Sequence, residues 1–432
     1  MHNVIAAAGA DARPAEGLFF GWRVVGAAFV VAIFGWGMCF YGPPVLLYAI
    51  HAHRGWPLTL ISAAVTLHFL LGALVVANLP ACYRRWGLPA VTRAGALAAA
   101  LGMFGWAAAD QPWQLFAATL LSGAGWAATG GAAINAMVSP WFARRRPAAL
   151  SLAYNGASAG GILLSPLWVA AIAWLGLPGA AAALGTIMVV TLWLLAGRYF
   201  VHSPAELGLR VDGSGMESAT APTRDKSTKS SATPVLARGS PWRDWRFRTL
   251  AAGMSLGLFA QIGLIAHLFS LIVPVLGTTG AGLAMATATA AAIAGRTLLG
   301  WLLPSGADRR LAAAGNYALQ FCGCLVFILA GGASAPLILL GILLFGLGIG
   351  NATSLPPLIA QMEFSPGEVL RVVALITACS QATYAFAPAV FGALRAALPA
   401  TGSETALFFL AAGLLQLVAA GAYLLGRQGR RG

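Results

Sequence analysis

The feature that most limits what this chain can fold into is the length of its charge-free stretches. Residues 24–50 and 178–197 each run without a single Asp, Glu, Lys or Arg, and either is long enough, as a helix, to cross a hydrocarbon core of about 30 Å. The rest of the 432-residue sequence follows suit, with 59% hydrophobic residues, 9% charged residues and a mean hydropathy of +0.80. An ordinary soluble domain carries about 25% charged residues. The chain therefore reads as an all-α membrane protein with many spans.

Apolar runs separated by Gly, Pro and charged breakers give twelve transmembrane helices. The first six are expected at 21–48, 58–80, 90–109, 113–138, 148–174 and 178–200. The second six are expected at 249–276, 282–303, 311–331, 336–360, 369–394 and 405–426. Assigning loops to alternating sides puts Arg84, Arg85, Arg144, Arg145, Arg146, Arg309, Arg310, Arg371, Arg427, Arg430 and Arg431 on one side. The other side receives only Arg54 and Arg395, with Asp110 and Glu404. The arginine-rich side is the cytoplasmic one, and an even number of spans returns the chain to it, so both termini are expected there. The net charge of +14 is thus dispersed through short loops. Nucleic-acid binding would need one contiguous basic face, which is missing.

The expected organisation is a cytoplasmic tail (1–20), a six-helix bundle (21–200), a cytoplasmic linker (201–248), a second six-helix bundle (249–426) and a short tail (427–432). The linker is rich in Ser, Thr, Pro and Gly and holds the only lysines, Lys226 and Lys229, the composition of a flexible connector. Arg13 precedes a run with no A-x-A-like cleavage site, so the first span is expected to remain in the protein. The halves echo each other. Trp22-Arg23 matches Trp245-Arg246, and Gly123-x-Gly125 matches Gly346-x-Gly348, both at an offset of 223 residues. Two similar bundles joined by a linker are the mark of a parallel internal repeat.

In these respects the chain resembles the major facilitator superfamily. Within it, "GPPVLLYAIHAHRGWPLTLIS" (42–62) and "GRTLLGWLLPSGADRR" (295–310) are similar to bacterial monocarboxylate porters and oxalate/formate antiporters. The resemblance implies the major facilitator fold and alternating access, in which two bundles rock about a site near mid-membrane. It also implies a bacterial inner-membrane location and a monomeric carrier. The superfamily's G-x-x-x-D-R-x-G signature falls on the loop between spans two and three, here "PACYRRWGLPAV" (80–91), with Arg84 at the aspartate position and Arg85 and Gly87 retained. The span 8–9 copy has Pro304 at that position. Arg84, Arg85, Arg309 and Arg310 are the expected gating residues, without the signature's carboxylates. Gly42-Pro43-Pro44, Pro166, Pro356-Pro357 and Pro388 are expected to loosen their helices by freeing backbone groups.

A polar side chain inside the membrane costs free energy unless it faces the bundle interior or a cavity, so the few intramembrane polar residues define the candidate site. The acidic residues all fall in loops, tails, linker or span ends. Arg296 is the one basic residue placed well inside a span, about 12 Å from the end of its helix at Pro304 at ~1.5 Å per residue. With no acidic partner in the sequence to offset it, its guanidinium fork suits the carboxylate of an organic anion, and it matches the span-eight arginine of the porters and antiporters named above. His68 and His267 are the remaining groups able to titrate near neutrality. Gln381 and Tyr384 lie one turn apart in span eleven, and the antiporter type carries a lysine in the Gln381 region. Tyr41, Asn155, Ser158, Gln261 and Asn351 complete the candidate substrate-binding set. Asn316 and Gln320 in span nine are expected to face other helices or headgroups.

No catalytic constellation, metal-ligand spacing or cofactor motif is present. "FGLGIGNA" (345–352) follows no strand and lacks the Gly-Lys-Ser/Thr of a nucleotide loop. The five cysteines form no paired framework. The sequence thus points to a secondary transporter of a small, monocarboxylate-like organic anion, with a co-transported proton or an exchanged anion as the coupling partner. Its alternatives are an efflux pump for apolar or drug-like compounds, whose cationic substrates would call for a buried carboxylate, and a membrane sensor, which would call for a folded output domain.

Overall fold

A computed structural model of the protein describes residues 19–213, 240–304, 307–397 and 403–427. The linker segment 214–239, with Lys226 and Lys229, and the tails 1–18 and 428–432 lie outside the described residues. Those described are almost entirely helical. Three helices, Leu58–Ala108, Arg146–Tyr199 and Trp245–Leu302, are 51, 54 and 58 residues long. At ~1.5 Å per residue each is more than twice the thickness of a bilayer core. Each therefore doubles back, and a glycine makes the turn.

Gly87 (φ 78°, ψ 159°), Gly176 (φ 69°, ψ 172°) and Gly277 (φ 68°, ψ 172°) occupy a backbone region open essentially to glycine alone. At two of these turns the sequence is Gly-Leu-Pro, at 87–89 and 176–178. Glycine reverses the chain and proline, which lacks an N–H to leave unpaired, starts the next helix. The long helices thus yield spans two and three (58–86, 88–108), five and six (146–175, 177–199), and seven and eight (245–276, 278–302).

Four further spans are each built from two helical pieces. They are span one (Phe20–Cys39, Gly42–Arg54), four (Pro112–Thr129, Gly131–Val138), ten (Ala335–Ile349, Asn351–Glu363) and eleven (Pro366–Tyr384, Ala387–Ala397). Arg309–Ala330 and Ser403–Leu425 are spans nine and twelve. The breaks in spans one and eleven precede Pro43 and Pro388. The break in span ten falls at Gly350, and Pro356 and Pro357 lie inside the following helix. Pro166 is accommodated within a continuous helix. Span seven starts at Trp245, earlier than its apolar run, because Asp244 caps it by accepting the Arg246 N–H.

Ion pairs confirm which ends share a side. Arg54 after span one meets Asp110 after span three at 2.8 Å on the far face, and Arg427 after span twelve meets Asp308 before span nine at 2.6 Å on the near face. The near face also carries the start of the linker. Asp212 accepts the backbone N–H groups of Ala143, Arg144 and Arg145 at 3.2, 2.8 and 3.1 Å, fastening the end of span six to the turn between spans four and five. The Arg144 N–H, with those of Arg145 and Ala143, holds the Asp212 carboxyl below the usual carboxylate range.

The two halves join on the far side. There Gly42–Arg54 packs on span seven and Ala387–Ala397 packs on span two. Tyr48 meets Phe269 edge-on at 5.6 Å, and Thr66 Oγ1 accepts the Ala389 N–H at 3.1 Å. The near-side pieces Gly131–Val138 and Asn351–Glu363 pack within their own halves. The seam is shut at the far face and opens toward the near one.

Candidate functional site

The seam closes around the broken helices. At mid-membrane Gly161 of span five lets its helix come against Thr289 of span eight and the ring of Tyr41, since a Cβ there would sit 2.7 Å from Thr289 Oγ1 and 2.8 Å from the Tyr41 ring. Tyr41 lies at the break in span one and is 7% exposed. Thr289, which shares the Gly161 crossing with Tyr41, stands about two helical turns before Arg296 on span eight.

Arg296 itself is half-buried on span eight. Its Nε donates to the Gly350 carbonyl at 3.3 Å, the point where span ten breaks. That carbonyl also accepts from Ser354 Oγ at 3.2 Å. Gly295 permits the approach, because any Cβ there would strike the Leu347 carbonyl of span ten. Asn351 Nδ2 donates to Leu347 O at 3.4 Å and Asn316 Nδ2 to Gly348 O at 3.1 Å, so polar side chains cover the carbonyls around the break. The two terminal guanidinium nitrogens of Arg296 have no hydrogen-bond partner or ion pair among the described residues. They are the free end of the fork.

The two histidines are placed elsewhere in the seam's architecture, and both are fully buried. Pro43 cannot donate to the carbonyl four residues back, that of Cys39, and His68 Nε2 donates to it at 3.1 Å. The carbonyl fixes the Nε2–H tautomer, leaving Nδ1 to accept from Ser122 Oγ at 2.8 Å. His267 Nε2 donates in the same way to Pro388 O at 3.0 Å, while Nδ1 faces Arg395 Nη1 at 3.4 Å and Ser62 Oγ lies 3.5 Å from Nε2. His68 braces the break in span one, and His267 joins spans seven, eleven and two at the closed end.

Gln261 is not brought to Arg296. Its Oε1 accepts from Gln320, which in turn accepts from Gln416 at 3.1 Å, a buried amide ladder linking spans seven, nine and twelve. Ser158 is buried one turn from Gly161, and Asn155 is half-buried one turn further toward the open side. Tyr384 packs edge-on against Phe69 of the other half at 6.1 Å, and Gln381 lies three residues before it on the same helix. Arg84 and Arg85 are exposed at the Gly87 turn, with Arg85 5.4 Å from the Trp86 ring centre. Arg309 is half-buried.

Arg310 has a different environment from the one its loop position suggested. It is 1% exposed and grips Glu363, at the end of span ten, with Nε–Oε1 and Nη2–Oε2 contacts of 2.7 and 2.8 Å. Thr249 Oγ1 accepts from Nη1 and the Arg246 carbonyl from Nη2, at 3.1 and 2.8 Å. Asp308 caps span nine through the N–H groups of Arg310 and Leu311 and pairs with Arg427. A carboxylate thus serves this loop four residues after Pro304. Sequence reading also passed over Arg93 in span three, whose Cζ stands 5.3 Å from the Trp193 ring centre, and the aromatic residues at the seam. Among the described residues no cluster of three or more His, Cys, Asp or Glu could hold a metal.

No curated protein sequence matches the chain significantly. Among solved structures, a bacterial homologue of the human lysosomal transporter Spinster, inward-facing and occupied, aligns with a TM-score of 0.69 at 11% identity, covering 96% of this chain and 98% of that one. Its inward-facing, unoccupied form aligns at 0.67 and 13% identity over 96% and 98%. A single-site mutant of the nucleoside transporter NupG aligns at 0.68 and 12% identity over 94% and 99%. At these identities the likeness is one of fold. The family model described as Major Facilitator Superfamily matches residues 25–388, and with twelve spans in two halves about a one-sided seam, the chain belongs to that superfamily: a multi-pass secondary transporter, not an enzyme.

Proposed function

We propose that the protein carries a small organic anion of the monocarboxylate type, with Arg296 binding the substrate carboxylate. The observation that carries this reading is the state of the Arg296 guanidinium. One donor is held by the Gly350 carbonyl at the break in span ten, the two terminal nitrogens have no partner among the described residues, and no described carboxylate pairs with the charge. A partner that arrives as substrate meets that charge with two charge-assisted hydrogen bonds. When it leaves, the guanidinium falls back on the helix carbonyl.

The arginine-rich near face is read as cytoplasmic, which makes the shape inward-open; the bacterial inner membrane is what the resemblance to bacterial porters implies. Cationic cargo is disfavoured by the same charge. Counterflow uptake in proteoliposomes, across lactate, aromatic and dicarboxylic acids, tests the proposal with Arg296→Gln. Loss of at least tenfold in uptake is expected for every acid that wild type carries. Wild-type uptake by the variant would sink it.

A further inference from the structure

Half-buried aromatic rings gather where the seam closes. Trp126 of span four is their centre, with ring centroids of Trp36 at 5.0 Å, Phe40 at 6.1 Å and Phe69 at 6.3 Å. Tyr154 of span five approaches Trp36 at 6.3 Å, and Tyr384 reaches Phe69 from the opposite half at 6.1 Å. Most of these pairs meet edge to face, at interplanar angles of 78–86° for Trp36–Trp126, Trp36–Tyr154, Phe69–Trp126 and Phe69–Tyr384.

Core packing alone describes this cluster poorly. Aromatic residues used as filler in this molecule, such as Trp106, Trp168, Phe391 and Phe408, are at most 1% exposed. Trp36, Phe40, Trp126, Tyr154 and Tyr384 keep part of their surface open, although they lie at mid-membrane depth. The contact of Phe69 with Tyr384 brings one end of the cluster to the join between the two halves. Phe40 then meets Tyr41 edge-on at 5.1 Å, and Tyr41 shares the Gly161 crossing with Thr289, which stands about two helical turns before Arg296 on span eight. A charge anchor and a ring-lined space thus adjoin.

We infer that the preferred substrate is an aryl carboxylate, its carboxylate on Arg296 and its ring received among Trp36, Phe40 and Trp126. This rests on the anion reading above and narrows it. Rings set at steep mutual angles offer a planar guest both faces and edges, a geometry that favours aromatic over aliphatic guests beyond the area buried. Short aliphatic acids would reach the arginine and leave the rings uncovered.

The test is concentration-dependent counterflow by the full chain in proteoliposomes, with radiolabelled 4-hydroxybenzoate and lactate as probes. Wild type is expected to half-saturate with 4-hydroxybenzoate at a concentration at least tenfold below that for lactate. Trp126→Leu should shrink that ratio below threefold. Trp126→Phe should restore most of it and, with an unchanged melting temperature, show that the variants fold. A wild-type ratio near one, or one that Trp126→Leu leaves intact, overturns the aryl preference while uptake that still depends on Arg296 keeps the anion reading. If Arg296→Gln keeps full 4-hydroxybenzoate uptake while Trp126→Leu lowers it, the Arg296 anchor falls and the rings alone select the substrate. Uptake of neither acid by wild type removes both.

Discussion

Arg310 and Arg296 belong to the same half of the molecule, the first fully buried and the second half-buried. Arg310 is held by Glu363, Thr249 and the Arg246 carbonyl, so all three of its nitrogens are engaged. Arg296 has one engaged nitrogen, on the Gly350 carbonyl at the break in span ten. A buried charge whose partner belongs to the fold is part of the structure. One whose partner is missing from the fold is open to a partner from outside, and the physical cost of burying it is what a substrate relieves.

The comparison makes its largest prediction at the closed pair. Glu363→Gln leaves Arg310 buried without its counter-charge, and a loss of about 3–5 kcal/mol in unfolding free energy is expected, read as a lowered melting temperature in detergent. If Glu363→Gln melts like wild type, the pair does not anchor the near face. The same measurement on Arg296→Gln should show a change within about 1 kcal/mol, since a lone buried charge contributes no stability of its own, while transport falls by at least tenfold. A large destabilisation with intact transport would make Arg296 the structural residue and erase the contrast.

Converting one type into the other sharpens it further. Ser354 Oγ shares the Gly350 carbonyl with Arg296, so Ser354→Asp gives Arg296 an internal carboxylate. The expected result is a melting temperature equal to or above that of wild type and a several-fold weaker apparent affinity for the transported acid. Unchanged affinity would argue that the substrate does not compete for the guanidinium.

The smallest effect belongs to Asp308. Burial tends to raise its carboxyl, but the Arg427 hydrogen bond and the N–H groups of Leu311 and Arg310 outweigh this and hold it below the usual carboxylate range. A lowered folded-state value means its stabilisation is complete above about pH 4, the ordinary aspartate value, and is lost as the pH falls through the folded value. Asp308→Asn should cost about 0.5 kcal/mol at neutral pH, as for a partly exposed ion pair, and should flatten this acid limb of a pH–stability profile.

Much of this architecture was legible in the sequence because bilayer thickness and the alternation of arginine between loops are one-dimensional signals. The isolation of Arg296 was legible for a related reason, since a charge among apolar residues needs no knowledge of its neighbours to be noticed. Arg310 was misjudged as a loop charge because Glu363, its partner, lies 53 residues away along the chain and no periodicity relates them. The prolines signalled breaks in spans one and eleven, but not that His68 would satisfy the Cys39 carbonyl. The rings at 36, 40, 69, 126, 154 and 384 come from five spans, and only the packing of those spans makes them neighbours.

The glycine reversals at 87, 176 and 277 also govern how the molecule can be modified. With one residue turning each hairpin, three of the eleven connections offer no loop in which to place an epitope, a protease site or a fluorophore. An insertion there would have to unwind a helix end before it could reach water. The Ser-, Thr-, Pro- and Gly-rich stretch 214–239 has the composition of a connector, which makes it the natural place to cut or label the chain.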